Sequence, residues 1–178
     1  MYMVLIEKII SKLPKTQRGL ERFFNNWKTR KRFIQFEKIE FKKHLEKAKS
    51  DLISSQNDCK NKSWDWVVIK SYYSIHHSAN SLLIKESGLF SKDHTCTIIA
   101  LKFLELIPLS FYNKIQKLYT KFSDITAFDI IYSLRKIGQY DIEEWKKISE
   151  KDAELIYLFA KEFVGFVEER CYSWSYHY

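Results

Sequence analysis

The sequence predicts an all-α protein, an antiparallel up-and-down bundle of four main helices with an N-terminal helical extension. Three observations predict it. Only 4 glycines and 2 prolines occur in 178 residues, too few breakers for many short strands. Apolar residues make up 46% of the chain, enough for one domain with its own core. Those residues recur mostly at three- and four-residue steps, the period of a helix with one buried face.

Each element has its own pattern. Residues 2–13 form an amphipathic helix, with Met3, Ile6, Ile9, Ile10 and Leu13 on one side. Pro14 and Gly19 break it. A long helix is expected over 20–56, where Ile34, Phe41, Leu45, Ala48 and Leu52 keep to one face. The run "SSQNDCKNKS" at 54–63 reads as the clearest loop. A second helix spans 64–87 and stops at Gly88, a residue suited to the left-handed position after a helix. Ser91 or Asp93 caps a third helix through 105, and Pro108 opens another to 122. Residues 124–148 mix helix and loop around Gly138. Ser149 and Asp152 make a capping box with Asp in place of Glu, and a last helix runs from there to 170 with Ala153, Ile156, Ala160, Phe163 and Val167 as its stripe. The expected division is a basic helical extension over 1–30, packing on a bundle that spans 31–178. No internal repeat or low-complexity segment is present.

The formal charge of +8 is unevenly placed. Residues 1–62 hold 16 Lys and Arg against 7 Asp and Glu, whereas 63–178 hold 14 against 15. A basic segment of this kind attracts polyanions, and the plainer alternative is a solvated lysine-rich face. Three cysteines without CxxC spacing suggest neither a disulfide framework nor a zinc site, and they fit a reducing, cytoplasmic setting. The longest charge-free run, 71–84, is too short and too polar to span a bilayer, and the N-terminus lacks the pattern of a signal peptide. The N-terminal amphipathic segment fits a membrane surface or, by default, the bundle. The closing "CYSWSYHY" alternates aromatics that either stack on bases or pack on the bundle.

The second helix carries "SYYSIHHSANSLL", and two adjacent histidines in a core-like run need a reason. With Ile75 as reference, Trp64, Val68, Tyr72, Ala79 and Leu82 share its side of the helix. Trp66, Tyr73, His77, Asn80 and Ile84 lie opposite, and His76 lies between. A helix apolar or aromatic on both sides is either central in a core or part of a subunit interface. With few other helices to cover it, the interface is the expectation. Tyr73 and His77 are neighbours at i, i+4. The alternative is a core histidine and tyrosine satisfied by hydrogen bonds. No metal-ligand spacing is present, and no GxSxG turn marks a serine nucleophile.

The stretch "SYYSIHHSANSLLIKESGLFSKDHT" resembles the HEPN domain family. Tyr72, Tyr73, His77, Ala79, Leu82 and Leu83 match the family's helix, and Gly88, Lys92 and His94 match the segment after that helix. "LRKIGQYD" is similar to the family's R-x-x-A-D-Y element, with Arg135 and Tyr140 in place and Gly138 and Gln139 substituted. The last helix is similar too, and the likeness runs over residues 40–168. The resemblance implies a four-helix bundle, often a homodimer with a cleft between protomers. Many members are metal-independent endoribonucleases, including toxins of toxin-antitoxin and antiviral systems. Others pair with a small nucleotidyltransferase, and others bind nucleotides or RNA. The nuclease signature, Arg and then His after four to six residues, is missing here. Tyr140 stands in the histidine's place, and no histidine comes after it before His177.

The expected function is therefore binding of RNA or a nucleotide at a cleft centred on Arg135, whose planar fork suits a phosphate. The alternatives are an endoribonuclease that recruits His77 or His94 as proton carrier, and a subunit that holds a nucleotidyltransferase. Tyrosine is a poor general base near neutral pH, because its reference pKa is about 10. His77, His94, Arg135 and Tyr140 are the expected catalytic or central residues, with His76 structural. Tyr73, Asn80, Lys92, Lys28, Arg30, Lys31 and Arg32 are the expected binding residues. No metal and no cofactor are expected. Partners are RNA or nucleotide and a second copy of the chain.

Overall fold

The structure is a computed structural model that describes residues 14, 16–115, 117 and 148–173. Its helices are α1 (Gln17–Thr29), α2 (Phe41–Lys60), α3 (Trp64–Ser87), α4 (His94–Phe103) and α5 (Glu150–Tyr172). A helical stretch at 109–115 comes after α4. Two short strands, β1 (Ile34–Gln35) and β2 (Leu89–Phe90), pair antiparallel, with Ile34 opposite Phe90. A single 3-10 turn, Lys38–Glu40, leads into α2. The chain is an all-α bundle, as its sequence predicts, and no helix among the described residues is long and apolar enough to cross a membrane.

Specific contacts fix the helix directions. The Phe41 carbonyl at the start of α2 accepts from Ser81 near the end of α3. Ser55, late in α2, donates to the Val67 carbonyl early in α3. These two helices are therefore antiparallel. At the end of α3, the Lys85 ammonium donates to the Cys171 carbonyl at the end of α5. Those two run the same way, as the second and fourth helices of an up-and-down bundle do. The 109–115 stretch runs against α5. Phe111 lies 4.9 Å from Phe166, and Lys114, a turn later, meets Glu162 at 2.9 Å.

The α2–α3 contact is close because α3 presents serines to it. Ser71, Ser74, Ser78 and Ser81 are fully buried at helical spacing. Small side chains let two backbones approach, and a buried hydroxyl needs a partner. Ser74 Oγ donates to the Ala48 carbonyl at 2.8 Å and Ser81 Oγ to the Phe41 carbonyl at 2.9 Å. Ser71 and Ser55 pair at 2.8 Å, and Ser78 bonds back to the Ser74 carbonyl at 2.9 Å.

Several boundaries match the sequence. Gly88 closes α3 with φ 70°, and its N–H donates to the Ile84 carbonyl. A Cβ there would also meet the mobile end of the Gln35 side chain, but it is the left-handed backbone that calls for glycine. Asp93 caps α4 by accepting from the Cys96 N–H, and Ser149 caps α5 by accepting from the Asp152 N–H.

Three expectations are corrected. The long helix over 20–56 is two helices. Between them, Phe33 packs on Phe24 at 5.3 Å, Phe36 stacks on Phe90 at 4.9 Å, and β1 pairs with β2. Tertiary contacts thus pull the segment out of helix. The loop expected at 54–63 is mostly helix. Chain reversal occupies only 61–63, because buried Ser55 ties the end of α2 to α3. Finally, α3 is a central helix. Ile84 and Asn80, placed on an intersubunit face by the sequence, are buried within their own chain. Of that face only Trp66 is openly exposed, with Tyr73 and His77 half-buried. The helix expected at 2–13, the C-terminal aromatics from Trp174 onward and the Gly138 break lie outside the described residues.

The described part of the extension is anchored. In α1, Phe24 is buried and stacks on Phe103 of α4 at 4.8 Å. Thr16 caps α1 by accepting from the Gly19 N–H.

Candidate functional site

Four of the five histidines meet where α2, α3 and α4 come together. His44 comes from α2, His76 and His77 from α3, and His94 from the first residue of α4. Their rings form a continuous array. His44 lies 6.0 Å from His77, His77 lies 6.0 Å from His76, and His76 lies 3.9 Å from His94. Aromatic rings border it. Phe90 lies 5.1 Å from His44, Tyr73 stacks on His77 at 6.4 Å, and the Tyr72 hydroxyl hydrogen-bonds with His94 Nδ1.

The array differs from the expected grouping. His76 stands between His77 and His94 and bridges them. His76, expected on the flank of the core and structural, is buried at 6% exposure and lies within the group. Asn80, expected to bind ligand, is sealed in the core. Its Oδ1 accepts from the Ser91 N–H at 3.1 Å and its Nδ2 donates to the Ser91 carbonyl at 3.0 Å. That pins the amide's orientation. The same Nδ2 lies 3.1 Å from His76 Nε2, so the imidazole nitrogen accepts there. Neutral His76 must then carry its proton on Nδ1.

Asp51 stands beside the array on α2. Its Oδ1 pairs with Lys47, and its Oδ2 lies 3.8 Å from His77 Nε2. Among the described residues, Oδ2 of Asp51 and Nδ1 of both His76 and His77 are buried without a hydrogen-bond partner. Buried polar atoms are nearly always paired, so a cluster with three unpaired ones is unusual.

Burial governs the protonation of the imidazoles. His76 is held well below the usual histidine value by burial, reinforced by the charges that His94, His77 and His44 would carry. Burial also lowers His77, opposed by Asp51, and lowers His44, opposed by Glu40. These three rings are neutral at pH 7. Among the described residues, no three His, Cys, Asp or Glu side chains are arranged to hold a metal ion.

A basic rim adjoins the array. Ser91 Oγ donates to the Arg32 carbonyl at 3.1 Å, and the β1–β2 ladder ties the same two segments together. Exposed Arg30, Lys31 and Arg32 are thereby held against the turn that carries exposed Lys92 and then His94. Lys31 adopts a left-handed backbone at φ 53°. Lys28 is exposed in the last turn of α1. Arg135 and Tyr140 lie outside the described residues.

Sequence reasoning missed His44, Asp51 and the part played by Tyr72 and His76. A signal for the first two exists: His44, Lys47 and Asp51 share one face of α2 at i, i+3 and i+7. Nothing in the sequence pairs that face with His77.

The family model for the HEPN domain matches residues 41–170. Neither a curated protein nor a solved structure matches the chain.

Proposed function

The chain belongs to the HEPN domain family, and on that premise we propose that it binds RNA across the histidine array and the basic rim beside it, with Arg135 taking a phosphate. Family membership supports an RNA- or nucleotide-related function in general. The observation that favours RNA is the hydrogen bond from Ser91 to the Arg32 carbonyl, which brings the basic 30–32 segment to the turn of Lys92 and His94. Cations in a row attract a polyanion, and half-buried tyrosine and histidine rings offer faces on which bases stack. A second copy of the chain is the partner proposed to complete the cleft. A small nucleotidyltransferase is the alternative partner, and co-purification distinguishes the two.

The test is binding of fluorescently labelled single-stranded RNA at several salt concentrations. Affinity should fall as salt rises, with a log–log slope of about −0.7 for each phosphate neutralised. Joint reversal of Arg30, Arg32 and Lys92 to Glu should weaken binding to all RNA sequences alike and flatten the slope. Arg135→Ala should weaken binding without changing the fold. Binding indifferent to salt and to both variants would return the rim to a merely solvated face.

A second reading is metal-independent endoribonuclease activity. It is favoured by His77, a neutral imidazole that is a quarter exposed and able to accept a proton. Cleavage of the same RNA in excess EDTA, lost in His77→Gln, would establish it.

A further inference from the structure

The histidine array gathers four imidazoles, and two of its buried nitrogens, His76 Nδ1 and His77 Nδ1, have no hydrogen-bond partner among the described residues. We propose that His44, His77, His76 and His94 form a proton-coupled phosphate site: docking of an RNA phosphodiester draws protons from solvent onto the rings, so that RNA binding tightens as the pH falls from 8 to 6. The inference rests on the RNA-binding reading and specifies the regulation of that site.

Geometry limits the charge the array can carry. Four imidazoles in sequence, each within 6.0 Å of the next, cannot all be charged without a counterion. Three of them are half-buried, and His76 is sealed. The free protein therefore keeps His44, His76 and His77 neutral. Unpaired buried nitrogens on His76 and His77 show that the hydrogen-bonding capacity of the rings is not used up among the described residues. The fixed Asn80 amide forces one of them, His76 Nδ1, to be a donor. A phosphate oxygen is an acceptor with no proton of its own, and it meets the array at the half-buried rings of His44, His77 and His94 rather than at sealed His76.

Charges around the array decide how strong the coupling is. From α2, Lys47 pairs with one oxygen of Asp51, whose other oxygen lies 3.8 Å from His77 Nε2 and already favours that ring's charged form. The 3-10 turn contributes Glu40, which favours a charged His44, although its carboxylate is tied to Lys43. On α3 the other titratable neighbours are the phenols of Tyr72 and Tyr73. The α4 side adds exposed Lys92 and the capping carboxylate of Asp93, which the Cys96 N–H holds. Arg32 sits behind Ser91. No carboxylate acts on His76, and the competition an incoming anion meets comes from Asp51 at His77 and Glu40 at His44.

An anion beside a neutral imidazole stabilises its charged form. Binding therefore takes up protons, and by linkage lower pH strengthens binding, by at most tenfold per pH unit for each proton taken up. A phosphodiester stays anionic throughout this range, so its own titration adds no pH dependence.

The probe is a short single-stranded RNA, titrated calorimetrically at pH 6, 7 and 8 in two buffers of different ionisation enthalpy. The expected result is a Kd that falls by at least threefold from pH 8 to pH 6, with net proton uptake at pH 6–7. In the double variant His44→Gln, His77→Gln both should shrink, whereas His177→Gln should leave them unchanged. Circular dichroism at each pH confirms that the variant is folded, and the half-exposed positions of both rings make the Gln pair tolerable. RNA bound equally at pH 6 and 8 without proton uptake overturns the inference and leaves the RNA-binding reading standing. An undiminished pH slope in the double variant overturns it as well. Failure to bind RNA at any pH removes the reading and the inference together.

Discussion

Two faces of α3 bury polar side chains, and the chain treats them in opposite ways. On the face toward α2, Ser71, Ser74, Ser78 and Ser81 each have a hydrogen-bond partner at 2.8 to 2.9 Å. Around His76 and His77, three buried polar atoms have none among the described residues. Both faces are sequence-adjacent, and both sit in a helix that is otherwise apolar. Polar groups that serve only the fold are satisfied within it, because an orphaned one costs about 1–3 kcal/mol. The histidine face keeps that cost. This difference separates a structural seam from a site, and residue type alone does not.

The largest expected effect breaks the seam. Ser74 is completely buried between α2 and α3, bonded to the Ala48 carbonyl. Ser74→Leu would force the helices apart and should cost up to about 3 kcal/mol of stability. His77→Leu places the same side chain on the other face and removes a buried nitrogen that has no partner. Its effect should stay within about 0.5 kcal/mol. Urea denaturation of the two variants checks both values. Equal destabilisation would erase the distinction between the faces.

A smaller effect sharpens the boundary between them. Asn80 joins seam-like order to the array by gripping Ser91 on one side and His76 on the other. Asn80→Ala leaves a buried N–H and an imidazole nitrogen unpaired and should cost about 2 kcal/mol. It should also release His76 from a single tautomer, visible as a change in its ring nitrogen chemical shifts. A variant that lost stability but kept the tautomer would show that something else orients the ring.

The helix and its ends were legible in the sequence, whereas the serine seam and the array were not, and the reason is the range of the interactions. Helix α3, its left-handed stop at Gly88 and the caps at Asp93 and Ser149 depend on neighbours within four residues. Periodicity also placed His77 away from the Ile75 stripe, and Tyr73 against it, as the structure has them. The break near residue 33 needed knowledge that Phe33 and Phe36 would find Phe24 and Phe90. The interface expected at Asn80 and Ile84 arose because nothing local showed that the 3-10 turn, β2 and α4 would cover that side of α3. The meeting of His44 with His77, and of His76 with His94, joins three helices, and no spacing within one of them encodes it.

The smallest effect is absent at neutral pH and appears only on acidification. Seam serines do not titrate, so all pH dependence from α3 should come from the histidine side. His76, His77 and His44 are each lowered from 6.5, chiefly by burial. The unfolded chain therefore takes up protons at a higher pH than the folded chain does. Stability is fully present above about pH 6.5 and is lost as the pH falls from there through the lowered folded values. Thermal denaturation of the free protein should give a constant Tm from pH 8 to 7 and a falling Tm below 6.5. The loss should be shallower in the His44→Gln, His77→Gln variant, since two of the three depressed rings are gone. Bound RNA should oppose the loss, because an anion raises the same imidazoles toward their unfolded value. A Tm as steady at pH 5.5 as at pH 8 would mean that the rings are not held neutral, and the contrast between the two faces would then be one of packing alone.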